Sequence, residues 1–463
     1  MTLLWTLVLG PIVVISLLGW QYAEILKPVV PVALTNFEAL KLVLRGAVFG
    51  TAWGDSWHPI LAAVHVVHSN DGRDLYGTLF FETGLRFQYP PTVLLPFDFQ
   101  YSLGTLGPKV LNALNFLVYC LNAIAAGFLA SLLFRSKPQD TVDGSPRLQG
   151  EFNSLDMAVL TIMVAFLFYP LQRAQVLGQI QIWIDALFTL AILFWICRRR
   201  FLAGICVGLA CTIKPQLGLL LIWGIMWREA AFSFGIVSVL APIAALSLWR
   251  YGFAAHLSYL QVLSFLSAHG EVFFANNSVN GILHSYFAPT DNLVWDPDHL
   301  SPYVPIVHAG TVVASIIFFG LLIVPPYLLR RRRPEVADLG AASICTVLGS
   351  PIAWDHHYGI LFPLYLVALK LVAAFSPGKR RLVSFGALLV SWILVADFIP
   401  FANLSAHTPF SFMLANQFFG ALILLAILVG YQAGRSPRDP VRRDRCGRMA
   451  IFSSPRQRDA VMV

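Results

Sequence analysis

Charge is what this chain has least of. Only 12% of its 463 residues are Asp, Glu, Lys or Arg, while 57% are hydrophobic. Mean hydropathy is +0.70. An ordinary soluble domain needs more charge to cover its surface, so that class is excluded. Strict polar–apolar alternation is also missing. The apolar runs are continuous and recur at lengths near ~20 residues, which excludes a β-barrel and predicts spanning helices. Cysteine is scarce: there are six, and no C-x-x-C occurs. Neither a disulfide framework nor a zinc site is expected. No internal repeat is visible. No cleavage motif follows the first apolar run, which is therefore expected to stay as an anchor.

The charge that is present has a pattern. Net charge is +8, and the arginines cluster in short loops such as Arg198–Arg200, Arg330–Arg333 and Lys379–Arg381. This is the positive-inside arrangement of a membrane protein and needs no nucleic-acid partner. Apolar windows divide residues 1–431 into about twelve spans, with both termini cytosolic. Residues 432–463 form a basic tail expected to be disordered. Residues Asn36 to Phe49 place Phe37, Leu40, Leu44 and Val48 at spacings of three and four, predicting an amphipathic helix on the membrane surface. Val93 to Leu106 is broken by Pro96, Asp98 and Gly104 and should dip into the membrane without crossing. Between the basic ends of Phe201–Trp227, Lys214-Pro215 should join two short helices, with Gly204 and Gly208 allowing close packing. The polar stretches all fall on the side opposite the basic clusters: the loop 51–91, the turn at Gln179, the tip at Lys214, the long loop 250–305 and the turn at His356.

Within the first outer loop, Asp55 is the leading candidate for a catalytic group. It sits between Trp53 and Trp57, an apolar flank that would strengthen it as a base. The plain alternative is a cap on the following helix. Asp71 and Asp74 read as turn residues, with Asp74 in reserve. Lys214 is an intramembrane lysine, a functional residue by default unless it snorkels. His356 and His357 are either a structural pair or direct ligands of an anion. Arg173 is a further phosphate candidate, although a lone arginine in a polar turn is more often solvated. Gln179 and Gln181 suit sugar hydroxyls or polar packing, and Tyr89 suits stacking or bracing of Pro90-Pro91. Asn276, Asn277 and Asn280 suit acceptor contact or a turn. Asp291, Asp296 and Asp298 lack the spacing of an ion-binding loop.

The ordered set D-L-Y-G at Asp74, F-Q-Y-P-P at Phe87, G-Q-I-Q at Gly178, A-C-T-I-K-P-Q ending at Gln216, N-N-S-V-N-G at Asn276 and S-P-I-A-W-D-H-H-Y at Ser350 resembles glycosyltransferase family 87. The resemblance spans roughly residues 50–375. It implies an all-α polytopic enzyme of the GT-C type in the cell membrane. It further implies a polyprenyl-phosphate-linked donor, mannose above all, and a glycolipid or glycan acceptor on the extracytoplasmic face. Inversion at the sugar carbon is implied as well. The family's loop aspartate matches Asp55, and its W-x-H-H turn matches Trp354, His356 and His357. G-Q-I-Q departs from the commoner G-Q-x-N. The departing lipid phosphate needs cations or donors fixed in place, and Lys214, His356 and His357 are the candidates to hold it. Tyr89, Gln179, Gln181, Asn280 and Trp354 are the candidates to contact substrate, and no metal or other cofactor is expected. A transporter or lipid flippase is the alternative class, and a non-catalytic scaffold a second.

Overall fold

The computed structural model describes residues 2–21, 35–50, 53–69, 74–135, 154–288, 292–296, 301–323 and 333–433. Asp71, Asp291, Asp298, Arg330 to Arg332 and the tail from residue 434 lie outside them. The described residues are helical, with no strand beyond one isolated antiparallel bridge, Asn276 to Trp354. In chain order the helices are α1 (Thr2–Gln21), α2 (Asn36–Phe49), α3 (Trp57–His68), α4 (Leu94–Ser102), α5 (Pro108–Phe134) and α6 (Ser154–Leu167). Then come α7 (Tyr169–Leu177), α8 (Gln181–Ile196), α9 (Arg200–Ile213), α10 (Leu219–Met226), α11 (Ala230–His269) and α12 (Val279–Phe287). The last are α13 (Pro305–Ile323), α14 (Val336–Leu348), α15 (Phe362–Ala373), α16 (Lys379–Ala396) and α17 (Asn416–Ala433).

Five helical stretches among the described residues are long and apolar enough to cross a membrane, and the bent pair α6–α7 makes a sixth. Five further apolar helices are shorter than a full crossing, α8, α9 and α14 among them. Lys214 lies at the junction of α9 with the 3-10 turn Pro215–Gly218, as the proline requires. Gly204 and Gly235 let α9 and α11 touch along their backbones: a Cβ on Gly204 would stand 2.1 Å from the Phe232 carbonyl oxygen. The segment after Arg250, expected as a long loop, instead continues as helix to His269. It turns at Gly252, whose φ of 76° interrupts the helical backbone.

Two polar anchors fix these pieces. α6 and α7 meet at 53° where Phe168 leaves the helical conformation ahead of Pro170. That break strands the carbonyls of Phe166 and Leu167. Gln172 Nε2 donates to Phe166 at 2.7 Å, and Asn36 Nδ2 donates to Leu167 at 2.8 Å. Asn36 also donates to Ala396 O at 2.8 Å and accepts from Phe398 N at 3.2 Å. The start of α2 is thereby tied to the α6–α7 break and to the end of α16. The second anchor is Asp98 on α4, which accepts from Arg250 Nε at 2.8 Å and from His68 and Tyr251. Burial opposes its charge, but the hydrogen bonds from Arg250 and His68 outweigh it and hold the carboxyl below its usual range.

The Asn36→Ala variant leaves three buried backbone groups unpaired, each costing roughly 1–3 kcal/mol. Its melting temperature in detergent should fall by several degrees, and an unchanged value would show that Asn36 is not an anchor.

Candidate active site

The loop before α3 lies along the end of α7. Trp53 N donates to Val176 O at 3.2 Å, Asp55 N to Leu177 O at 2.9 Å and Ser56 N to Gly178 O at 3.4 Å. The approach depends on glycine at both positions. Gly178 ends α7 at φ 69°, and a Cβ there would lie 3.0 Å from Gly54 N. Gly54 itself has φ 80°.

Ser56 locks this pairing. Its hydroxyl donates to Gln179 Oε1 at 2.7 Å. With its proton spent, it accepts from the Tyr89 hydroxyl at 2.7 Å and from Ile180 N at 3.0 Å. Burial pushes the Tyr89 phenol up, so it stays a donor. Tyr89 is in turn held through its carbonyl by the Tyr76 hydroxyl at 2.6 Å. Tyr89 therefore braces the loop here. Gln179, oriented by Ser56, donates Nε2 to Asp55 Oδ2 at 3.2 Å.

Asp55 is exposed, not enclosed by indoles. Trp53 is 54% exposed, while Trp57 is fully buried and donates to Asn112 Oδ1 at 2.8 Å. Nor does Asp55 cap α3: Ser56 is the residue before that helix, and no side chain caps it.

Basic side chains from three distant segments gather near this carboxylate, Arg173 and His356 within its electrostatic reach and Lys214 within reach of the histidines. Arg173, a further phosphate candidate that a polar turn would more often leave solvated, is on α7 and half-buried, its Nε 3.4 Å from Asp355 Oδ2. It lies within electrostatic reach of both Asp55 and Asp355. His356 Nδ1 is 3.2 Å from Asp355 Oδ1, and His356 senses Lys214 and Asp55. His357 accepts from Trp354 N at 3.2 Å and stands edge-on to His356 with ring centres 4.7 Å apart. Lys214 Nζ donates to Gln181 Oε1 at 2.9 Å, and Gln181 Nε2 donates to Asp185 Oδ1 at 2.8 Å. Asp185 is fully buried and faces Gly359, where a Cβ would sit 2.2 Å from its Oδ2. Gln181 is thus turned to the lysine, and Asp185 fixes which end of its amide the lysine meets.

The turn carrying the histidines is itself clamped. Asn277 N donates to Ala353 O at 2.8 Å, Asp355 N to Ala275 O at 3.0 Å and Ala353 N to Asn276 Oδ1 at 2.9 Å. Asn280 is fully buried in the first turn of α12. It accepts from Glu271 N at 3.0 Å and donates to Thr311 at 3.0 Å, away from Asp55. Trp354 directs its ring toward Trp295, 5.7 Å between centres. Sequence reading singled out neither Ser56, Asp185 nor Asp355. The only local signal for Ser56 was its place beside Asp55, and for Asp355 its place beside His356. Asp397, at the end of α16, is a further buried acid: it is 1% exposed and neither carboxylate oxygen has a hydrogen-bond partner.

Two outcomes follow from this geometry. The Ser56→Ala variant frees Gln179 and Tyr89 together; displacement by about 1 Å at a reacting centre costs on the order of 10²-fold. Initial transfer rates in membranes at matched protein level should fall by that order, and an unchanged rate would remove Ser56 from the site. Burial pushes Asp397 up to about 8. The folded protein then keeps a proton that the unfolded chain releases near pH 4, so stability falls as pH rises from about 4 to about 8. Asp397→Asn never ionises. Its melting temperature should lose less than the wild type's between pH 5 and pH 8, and parallel curves would refute the assignment.

No curated protein matches the chain significantly. The model for glycosyltransferase family 87 matches residues 87–354, more than half of the chain. The matched stretch contains Arg173, Gln179, Lys214 and Trp354. Asp55 precedes it, and His356 and His357 directly follow it. The apolar helices and this match together make the chain a multi-pass membrane protein, and it belongs to glycosyltransferase family 87.

Proposed function

We propose that the enzyme transfers a sugar, mannose, from a polyprenyl-phosphate donor to a hydroxyl of a glycolipid or glycan on the extracytoplasmic face of the cell membrane, with inversion. The observation that carries this reading is one exposed carboxylate, Asp55, within electrostatic reach of Arg173 and His356, with Lys214 in turn within reach of both histidines. Transfer from a lipid phosphate needs one base for the acceptor and fixed positive charge for the leaving group. Gln179 occupies Asp55 Oδ2 and leaves Oδ1 for the acceptor hydroxyl. Asp55 takes the hydroxyl proton while that oxygen attacks the anomeric carbon. The bond from that carbon to the phosphate oxygen breaks on the opposite side, and the electron pair leaves with the lipid phosphate. Arg173 and Lys214 stabilise the phosphate with the charge that a metal would otherwise bring, and the histidines hydrogen-bond to it. The sidedness rests on the basic clusters lying at the other ends of the helices.

A radiolabelled polyprenyl-phosphate-mannose donor with mixed membrane glycolipids tests this. Wild-type membranes should transfer label, and Asp55→Asn should transfer it roughly 10²–10⁴-fold more slowly at equal protein level. Equal rates would remove Asp55 as the base. An absence of transfer by the wild type, with transfer from another sugar's donor, would correct the sugar.

A further inference from the structure

Asp397 lines a small cavity. α16 ends at Ala396, and after Asp397 the chain makes two 3-10 turns, Pro400–Ser405 and Ser411–Ala415, before α17 begins. Asp397, Asn403 and Gln417 stand in the cavity wall together with Tyr169, Asn277 and Asp355. The volume is about 20 Å³, room for one particle the size of a water molecule. Three of these side chains have buried polar atoms with nothing to bond: both oxygens of Asp397, Oε1 of Gln417 and Nδ2 of Asn403. The three residues are 1%, 2% and 3% exposed, so bulk water does not satisfy them either.

Charge decides what fits. Asp355 is already held by Arg173 and His356. Asp397 has no such partner, and no described Lys, Arg or His lines the cavity. The C-terminal end of α16 and the N-terminal end of α17 both border it, so their dipoles oppose each other and the carboxylate sets the sign. A water molecule would meet the hydrogen bonds and leave that charge unbalanced. A cation of the same size meets the oxygens and balances it. Turning the Asn403 amide presents its oxygen in place of its nitrogen. Among the described residues no three Asp, Glu, His or Cys gather as a divalent ion would ask. One unbalanced carboxylate with neutral amide oxygens suits a hard ion of single charge.

We propose that this cavity binds one alkali-metal cation, sodium or potassium, through Asp397, Gln417 and Asn403. In the ion's absence a retained proton does the neutralising. The bound ion fastens the start of α17 to the segment 275–277 that clamps the histidine turn, a junction already marked by Gln417 N donating to Asn277 Oδ1 at 3.2 Å. It takes no part in sugar transfer, so the proposal stands whatever the donor and acceptor are.

Equilibrium binding tests this on the full chain purified in detergent, in mildly alkaline choline chloride buffer. The probes are radioactive sodium and, standing in for potassium, radioactive rubidium. The wild type should bind at least one of them saturably, at one ion per chain. Asp397→Asn keeps the shape and removes the charge, and should weaken binding by roughly 10²-fold or more. Gln417→Leu removes one neutral oxygen and should weaken it about tenfold. If Asp397→Asn does not yield folded protein, Gln417→Leu decides alone. Asp55→Asn should bind as the wild type does. No saturable binding by the wild type would leave water only in the cavity and overturn the proposal. Wild-type affinity in Gln417→Leu, loss of binding in Asp55→Asn, or displacement by magnesium at equal concentration would overturn it as well.

Discussion

The site depends on one backbone pairing: residues 53–56 laid against residues 176–178. Everything that gives Asp55 a fixed position follows from it. The pairing exists because α7 is cut off from α6 at Phe168 and ends at Gly178, so that a carbonyl-bearing helix end faces the loop. A continuous helix would have spent those carbonyls internally. Ser56 then uses its one proton and both acceptor positions on Gln179, Tyr89 and Ile180. It has no capacity left over, so the loop, the glutamine and the tyrosine move as one unit.

Buried charge is the second constraint. A lone cation or carboxylate in an apolar helix bundle is costly unless paired. The chain answers this by neutralising its groups locally: Arg173 with Asp355, His356 with Asp355, and Lys214 through Gln181 toward Asp185. These pairs hold Arg173, His356 and Lys214 in fixed orientations before any substrate arrives. Asp397 stands outside the arrangement, with both oxygens unpaired.

The family match and the geometry meet at their margins. The matched residues 87–354 carry the cationic and amide parts of the site. Asp55 comes from before them and the paired histidines from after them. The loop carrying Asp55 is held on α7, and the histidine turn is held by residues 275–277, so both are fastened to elements inside the match. Folding, more than chain order, assembles the centre.

Much of this was legible in the amino-acid order. Helix α2 occupies Asn36–Phe49 as its apolar spacing predicts, and the Lys214-Pro215 junction is where proline must end a helix. The composition excluded a soluble fold because local transfer energies add along the chain. Hydrophobic periodicity, helix breakers and charge asymmetry are properties of neighbouring residues, so the sequence by itself determined the helical membrane class, these elements and Asp55 as the candidate base. Only the tertiary structure decided that Arg173 pairs with Asp355, that Ser56 is a hub, and that Asn280 braces α12 against Glu271 and Thr311. Ser56 meets Gln179 across 123 positions, and Arg173 meets Asp355 across still more of the chain. Such partners are chosen by packing between helices, and no local pattern encodes them.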